Sequence, residues 1–273
     1  MAVWFLGDAG QQVMGGALTA SSLLTTVTSG AANTVGSYAQ MHAAAPFPVS
    51  GFRLHLGKTG VAVAASNRQF MFDIGIGPNG TETVIIQDVA FGGALAYTSW
   101  DFPFTLPVGT RIAVRTRALT GLSSTTMGMW LYGGGSGMEA GCRATTYGAV
   151  TTGSRGTVLT APTSANTIEA AWTVITAATT APMRFLVIGL GSPNTTTSTA
   201  ADLLVDIGVG AAGAEAAIVS DIACAVSVNE DINYAHPLVF PVNVPVGSRL
   251  VARYRGTSTV TTASPNLTLT GIS

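Results

Sequence analysis

Charge is what this chain has least of. Charged residues make up 9% of its 273 positions, against roughly 25% in ordinary soluble domains. Lysine is represented by Lys58 alone, arginine supplies the rest of the basic side chains, and the net charge is −1. That balance excludes the basic surface on which nucleic-acid binding depends. Cysteine is limited to Cys142 and Cys224, too few for a disulfide-stapled scaffold, and the pair reads as free thiols in a reducing compartment at synthesis. Long apolar runs are missing too. None reaches the roughly 20 residues of a membrane-spanning helix, because the most hydrophobic stretch, 203–228, is interrupted by Asp206, Glu215 and Asp221. Nor does a basic segment precede Val3-Trp4-Phe5-Leu6, so no secretory signal is expected and the sequons at Asn79 and Asn194 carry no weight.

The residues that usually perform chemistry are equally sparse. His42, His55 and His236 are scattered and fall in no metal spacing. Gly75-x-Gly77 and Gly208-x-Gly210 lack the third glycine and the following helix of a dinucleotide site, and no Gly-x-Ser-x-Gly elbow occurs. A carboxylate pair for glycoside cleavage is the one enzymatic pattern that sequence leaves open. The expectation is a non-enzyme with no catalytic, cofactor-binding or metal site. A surface this poor in charge is weakly protected against association, which points to a protein whose surface is buried among copies of itself and other subunits.

What the chain does have is a second version of itself. Phe72-Asp73-Ile74-Gly75-Ile76-Gly77 returns as Val205-Asp206-Ile207-Gly208-Val209-Gly210, and Pro107-Val108-Gly109-Thr110-Arg111 returns as Pro245-Val246-Gly247-Ser248-Arg249. Asp73 and Asp206 are 133 residues apart, and the same spacing carries Phe52 onto Phe185, Glu82 onto Glu215 and Asp88 onto Asp221. A period of this size is one domain rather than a solenoid repeat. The implied organisation is an N-terminal arm over 1–14, copy one over 15–133, a Gly-rich linker over 134–147 and copy two over 148–273. Trp4, Phe5 and Leu6 are the candidate assembly residues of the arm, which would insert into a neighbouring subunit; an edge strand of copy one is the alternative reading of the same stretch.

Each copy reads as short strands between Gly, Pro and Asn turns. Phe70, Phe72, Ile74 and Ile76 alternate with Met71, Asp73, Gly75 and Gly77, the period of a half-buried strand. Phe102 to Leu106, the turn at Pro107-Val108-Gly109 and the return strand Arg111 to Arg117 predict a hairpin. Weak helix signals occur only at Ala200-Ala201-Asp202 and in the alanines before Phe47. The fold class expected is all-β, as two tandem jelly-roll-like β-sandwich domains from an internal duplication.

Arginine supplies the clearest chemical pattern. Arg111, Arg115 and Arg117 share one strand face, and Arg249, Arg253 and Arg255 repeat it. With Asp73, Asp88, Asp206 and Asp221 recurring alongside, the expectation is ion pairs between strands or across a subunit interface rather than a phosphate-binding stripe. Trp100 and Trp130 are candidate sugar-stacking platforms, although core or interface packing suits them better.

Phe72-Asp73-Ile74-Gly75-Ile76-Gly77, Glu82-Thr83-Val84-Ile85-Ile86, Phe102-Pro103-Phe104 and the run Leu106 to Arg115 together resemble a module in structural proteins of tailed bacteriophages. Copy two departs from it at Ala211-Ala212-Gly213 and Val242-Asn243-Val244. The resemblance implies a virion β-sandwich made in the host cytoplasm and acting by subunit packing. Capsid decoration or cement, or a head or tail appendage, is the expected role, with capsid or tail subunits as partners. The alternative is a tail adhesin that binds a host-surface glycan. Neither nucleic acid nor membrane is an expected partner.

Overall fold

The computed structural model describes residues 11–15, 24–57, 69–92, 98–133, 141–152, 155–169, 171–191, 199–227, 232–234 and 238–273. Among them every regular element is a β-strand except a single 3-10 turn at Thr261–Ala263. The first unit contains β1 (Gln11–Gly15), β2 (Thr25–Thr28), β3 (Ala39–His42), β4 (Val49–Leu56), β5 (Gln69–Ile76), β6 (Thr83–Gly92), β7 (Ser99–Phe102), β8 (Ile112–Ala118) and β9 (Ser124–Gly133). They make an antiparallel sheet β1-β9-β4-β7, with β2 also on β9, and a second sheet β3-β8-β5-β6; these are called 1A and 1B below. The second unit contains β10 (Ala144–Tyr147), β11 (Thr157–Val158), β12 (Thr173–Thr176), β13 (Met183–Gly191), β14 (Ala201–Val209), β15 (Ala216–Val226), β16 (Ile232–Asn233), β17 (Val239–Val244), β18 (Leu250–Gly256) and β19 (Asn266–Ile272). Sheet 2A runs β10-β19-β13-β17 with β11 on β19, and sheet 2B runs β12-β18-β14-β15-β16.

Strand alternation explains how the sheets face each other. In β5, Phe70, Phe72 and Ile74 enter a core shared with Phe52 and Leu54 of β4, Trp100 and Phe102 of β7, and Met129 and Leu131 of β9. Its centre is aromatic: Phe70 stacks on Phe91 at 5.1 Å between centroids, and Phe72 meets Trp100 edge-on at 4.9 Å. In the second unit the core is mostly aliphatic, with Leu203, Val205 and Ile207 against Ile188, Leu190, Leu267 and Leu269 and with Tyr254 fully buried. Each large apolar side chain so enclosed contributes about 1.5–3 kcal/mol, and this holds sheet on sheet.

Several expectations from sequence are corrected here. Pro107-Val108-Gly109 does form a turn, but the flanking strands are not a hairpin: β7 pairs with β4 in sheet 1A and β8 with β5 and β3 in sheet 1B. The turn carries the chain from one sheet to the other. Ala201 and Asp202 open strand β14 instead of a helix, because they pair with Val226 and Ala225 of β15 and the Asp202 carbonyl accepts the Thr257 N–H just beyond β18. The stretch read as an arm over 1–14 reaches into β1, which pairs with β9, and Trp4, Phe5 and Leu6 lie outside the described residues. The stretch read as a linker over 134–147 contains β10, which pairs with β19 in the same way.

The largest correction concerns Phe185. Phe52 lies opposite Leu131 and faces the core of its own unit, whereas the residue opposite Leu269 in β13 is Ile188. Phe185 therefore falls on the other face of its strand and packs with Val187 and Ile272 into the core of the first unit. A strand's two faces alternate residue by residue, so an odd shift in register exchanges them. Sheet 2A consequently buries both faces, one in each unit.

Candidate functional site

The repeated arginines all lie against carboxylates. Arg115 Nε donates to Asp73 Oδ2 at 2.8 Å, and Arg253 Nε donates to Asp206 Oδ2 at 3.4 Å. Arg117 reaches Asp88 at 3.5 Å and Arg255 reaches Asp221 at 2.6 Å. Arg111 and Arg249 each contact a glutamate at 2.7 Å, Glu82 and Glu215 respectively, and each donates to a glycine carbonyl at 3.1 Å, Gly77 or Gly210. Cross-strand register creates this: Asp73 stands opposite Arg115, and Asp206 opposite Arg253.

The carboxylates also shape backbone. Asp73 Oδ1 accepts the N–H of Asp88 at 2.8 Å, and Asp206 Oδ1 that of Asp221 at 3.0 Å. Asp88 and Asp221 are left-handed, with φ 53° and 56°, where the pairing register of β5 with β6 and of β14 with β15 shifts. Each buried aspartate thus fixes a bulge and an arginine together. Above them an aromatic ring stacks on the guanidinium, Tyr38 at 4.7 Å from Arg115 and Trp172 at 4.1 Å from Arg253. Gly75 and Gly208 make room for those rings, since a Cβ there would stand 2.7 Å from Tyr38 and 2.9 Å from Trp172. The aromatic partners went unseen in the sequence because Tyr38 and Trp172 are 134 residues apart, one step off the repeat spacing.

The environments differ. Burial, reinforced by the nearby Asp73 charge, raises the Asp88 carboxyl pKa, and Arg117 opposes that only in part. Glu82 is pushed upward by desolvation but held below its ordinary value by hydrogen bonds from Arg111 and the turn backbone. For Glu215 the Arg249 hydrogen bond leads and the result is again a lowered value.

The second feature is the joint between the units. Strand β6 of the first unit lies on the outer face of sheet 2A, where the Ala90 N–H donates to Thr268 Oγ1 at 2.9 Å. Gly189 permits the approach: a Cβ there would come within 2.7 Å of the Ala90 carbonyl oxygen. Asn266, Thr268 and Thr270 are fully buried polar side chains on this face. Beside them Arg155, also fully buried, donates to the Thr151 carbonyl and to Asn33 Oδ1 of the first unit. Desolvation lowers the Arg155 pKa to about 10, with the Arg117 charge adding and Asp88 opposing. Arg155 has no counterpart in the repeat, so nothing in the sequence marked it.

The second unit has the corresponding surface, and there it is open. A groove of about 820 Å³ runs over sheet 2B, lined by Leu204, Ala223, Cys224, Tyr234 and Arg255 with Asn166 and Asp202 at its rim. Met71 is buried at the joint, while Leu204 in its place is half-buried. The Asp88 side chain is 8% exposed and that of Asp221 56%.

The other singled-out residues do not gather. Trp100 is fully buried in the first core and presents no ring to a sugar, whereas Trp130 is half-exposed on sheet 1A opposite Arg53. Arg53 holds Asp101 through two hydrogen bonds of 2.6 Å, a pair outside the repeat pattern. His42 is buried against the Met129 carbonyl, and desolvation lowers its pKa despite that bond. Cys224 is a buried free thiol pushed up to about 12 by desolvation, which keeps it protonated at neutral pH. His236 lies outside the described residues. No cluster of three or more His, Cys, Asp or Glu side chains suited to a metal ion occurs among the described residues. No protein-family model matches the chain, and no curated protein matches it.

Proposed function

We propose that this chain is a non-enzymatic structural protein of a tailed-bacteriophage virion, made in the host cytoplasm and acting by packing against copies of itself and against capsid subunits, as a capsid decoration protein. The observation that carries this reading is the joint. It is a sandwich laid on a sandwich through glycine, threonine and asparagine, with the repeated arginines paired to carboxylates of their own units and the buried Arg155 held by Thr151 and Asn33. Surfaces whose arginines are internally paired present few uncompensated charges to a neighbour, and low-charge faces are those that tolerate burial in an assembly.

Two finer features support the same reading. Counting the eight main strands of a unit, without β2 or its counterpart β11 and without the two-residue β16, the first pairs with the eighth, the second with the seventh, the third with the sixth and the fourth with the fifth. This pairing order supports reading each unit as a long hairpin rolled into two facing sheets, a jelly roll, an architecture common in capsid proteins. The same order in both units, with the same ion pairs at the same register, supports descent from one duplicated domain.

Immunogold labelling of virions, combined with shells assembled without the protein, tests the proposal. Label over the capsid and shells that rupture more readily without the protein are expected. Label confined to tail tips, with binding to host-surface glycan, would replace it with the adhesin reading, and unlabelled particles would end both.

A further inference from the structure

The joint inside the chain shows what covers this kind of surface. In the first unit, the face of sheet 1B that carries Met71, Asp88, Ala90 and Arg117 is closed by the outer face of sheet 2A, with the facing pair Gly189 and Thr268 against Ala90. The matching face in the second unit, which carries Leu204, Asp221, Ala223 and Arg255, is open as the groove over sheet 2B, and Ala223 is exposed there. Sheet 1A is to the first unit what sheet 2A is to the second. The pair on it that corresponds to Gly189 and Thr268 is Arg53 and Trp130, which face each other across β4 and β9.

We propose that the groove over sheet 2B receives a second copy of this chain, through the outer face of that copy's sheet 1A, with Trp130 entering the groove beside Ala223. The inference rests on the assembly reading above and names its contact. Side-chain volumes support it. Arg53 and Trp130 are far larger than glycine and threonine, so this contact cannot close as tightly as the internal joint. The groove is correspondingly open: Leu204 is half-buried and Ala223 exposed where Met71 and Ala90 are buried in the first unit. About 820 Å³ is ample for an indole. Asp202 in the groove lining offers an acceptor to Arg53 and to His55 beside it.

The contact joins the second unit of one copy to the first unit of the next. Such a heterologous contact does not use itself up, so it propagates until the copies close into a ring or continue as a filament. The internal joint and the intermolecular one would then alternate along a quasi-repeating row of sandwiches.

The test uses the full chain and light scattering over a concentration series. Ala223→Arg fills the groove from an exposed position, and Trp130→Ala removes the inserted ring. Each is expected to weaken association roughly thirtyfold or more, as loss of a central aromatic anchor does, with unchanged circular dichroism. A second measurement removes dependence on those variants: in a Cys142→Ser, Cys224→Ala background, chains carrying Trp130→Cys are mixed with chains carrying Ala223→Cys and oxidised. Interchain disulfides that form in the mixture and not in either chain alone are expected. A parent chain that assembles but ignores both substitutions and gives no such cross-link overturns this contact and leaves the assembly reading intact. A parent chain that stays monomeric at every concentration and binds no capsid overturns both.

Discussion

The same three-residue arrangement serves in two different surroundings. Asp88, Arg117 and Ala90 in the first unit sit under sheet 2A, and Asp221, Arg255 and Ala223 in the second sit at the surface. The buried version has a longer ion pair, 3.5 Å against 2.6 Å, and a carboxyl whose pKa burial has raised. Neighbouring protein has replaced the water that would have solvated it, and Arg155 has brought a further positive charge. A repeated motif therefore fixes which groups meet, whereas the strength of the meeting depends on what lies on top of them.

The sharpest way to break the comparison is at the joint. Gly189→Leu forces a side chain against the Ala90 backbone, which cannot rotate away, and a loss of about 3 kcal/mol is expected. Arg53→Leu at the corresponding place in sheet 1A removes one ion pair from a site that already holds a long side chain, and should cost about 1–2 kcal/mol. Denaturant unfolding read by tryptophan fluorescence and far-ultraviolet dichroism distinguishes them: Gly189→Leu should split the transition, because the units lose their coupling while each keeps its own core.

Arg155→Met comes next. It keeps much of the stem and deletes the bonds to Asn33 and Thr151, so a loss of about 2 kcal/mol is expected, concentrated in the coupling between the units. A smaller and more selective contrast separates the two aspartates. Asp73→Asn should cost about 2 kcal/mol and Asp206→Asn about 1, since Arg115 lies at 2.8 Å from the first and Arg253 at 3.4 Å from the second. Equal losses at the two positions would show that holding the bulge, common to both, outweighs the arginine. Trp172→Ala is the sharpening variant: if stacking carries Arg253, its effect should exceed that of Asp206→Asn.

The smallest effect is in acid. Glu82 and Glu215 both have folded-state pKa values below the ordinary 4.5, so each contributes stability that is present above that value and lost as the pH falls through the lower folded value. Glu82→Gln with Glu215→Gln should therefore lower stability near neutrality and flatten the acid limb below about pH 4.5, so that variant and parent converge in acid. Asp88 acts in the opposite sense. Its raised pKa means that protonation relieves a buried charge, so Asp88→Asn should remove a small gain in stability on acidification.

Much of the all-β architecture and the arginine pattern was legible in the sequence, because both are local. Alternation at Phe70, Phe72 and Ile74 follows from the two faces of a strand, and the shared face of Arg111, Arg115 and Arg117 follows from the same period, although which carboxylate each arginine meets was settled by the long-range pairing of β5 with β8. The joint was not legible. Gly189, Thr268 and Arg155 look unremarkable in sequence, and their roles depend on which face of β13 looks outward.

The sequence by itself determined that strands alternate, that turns recur and that each unit carries its own counter-charges, since period, turn chemistry and charge are properties of neighbours along the chain. Only the tertiary structure decided that β7 and β8 part company into different sheets and that Phe185 faces the other unit's core. It likewise decided that one copy of a repeated surface is covered while the other is open. Those outcomes depend on register and on the stacking of whole sheets, where a shift of a single residue exchanges inside for outside.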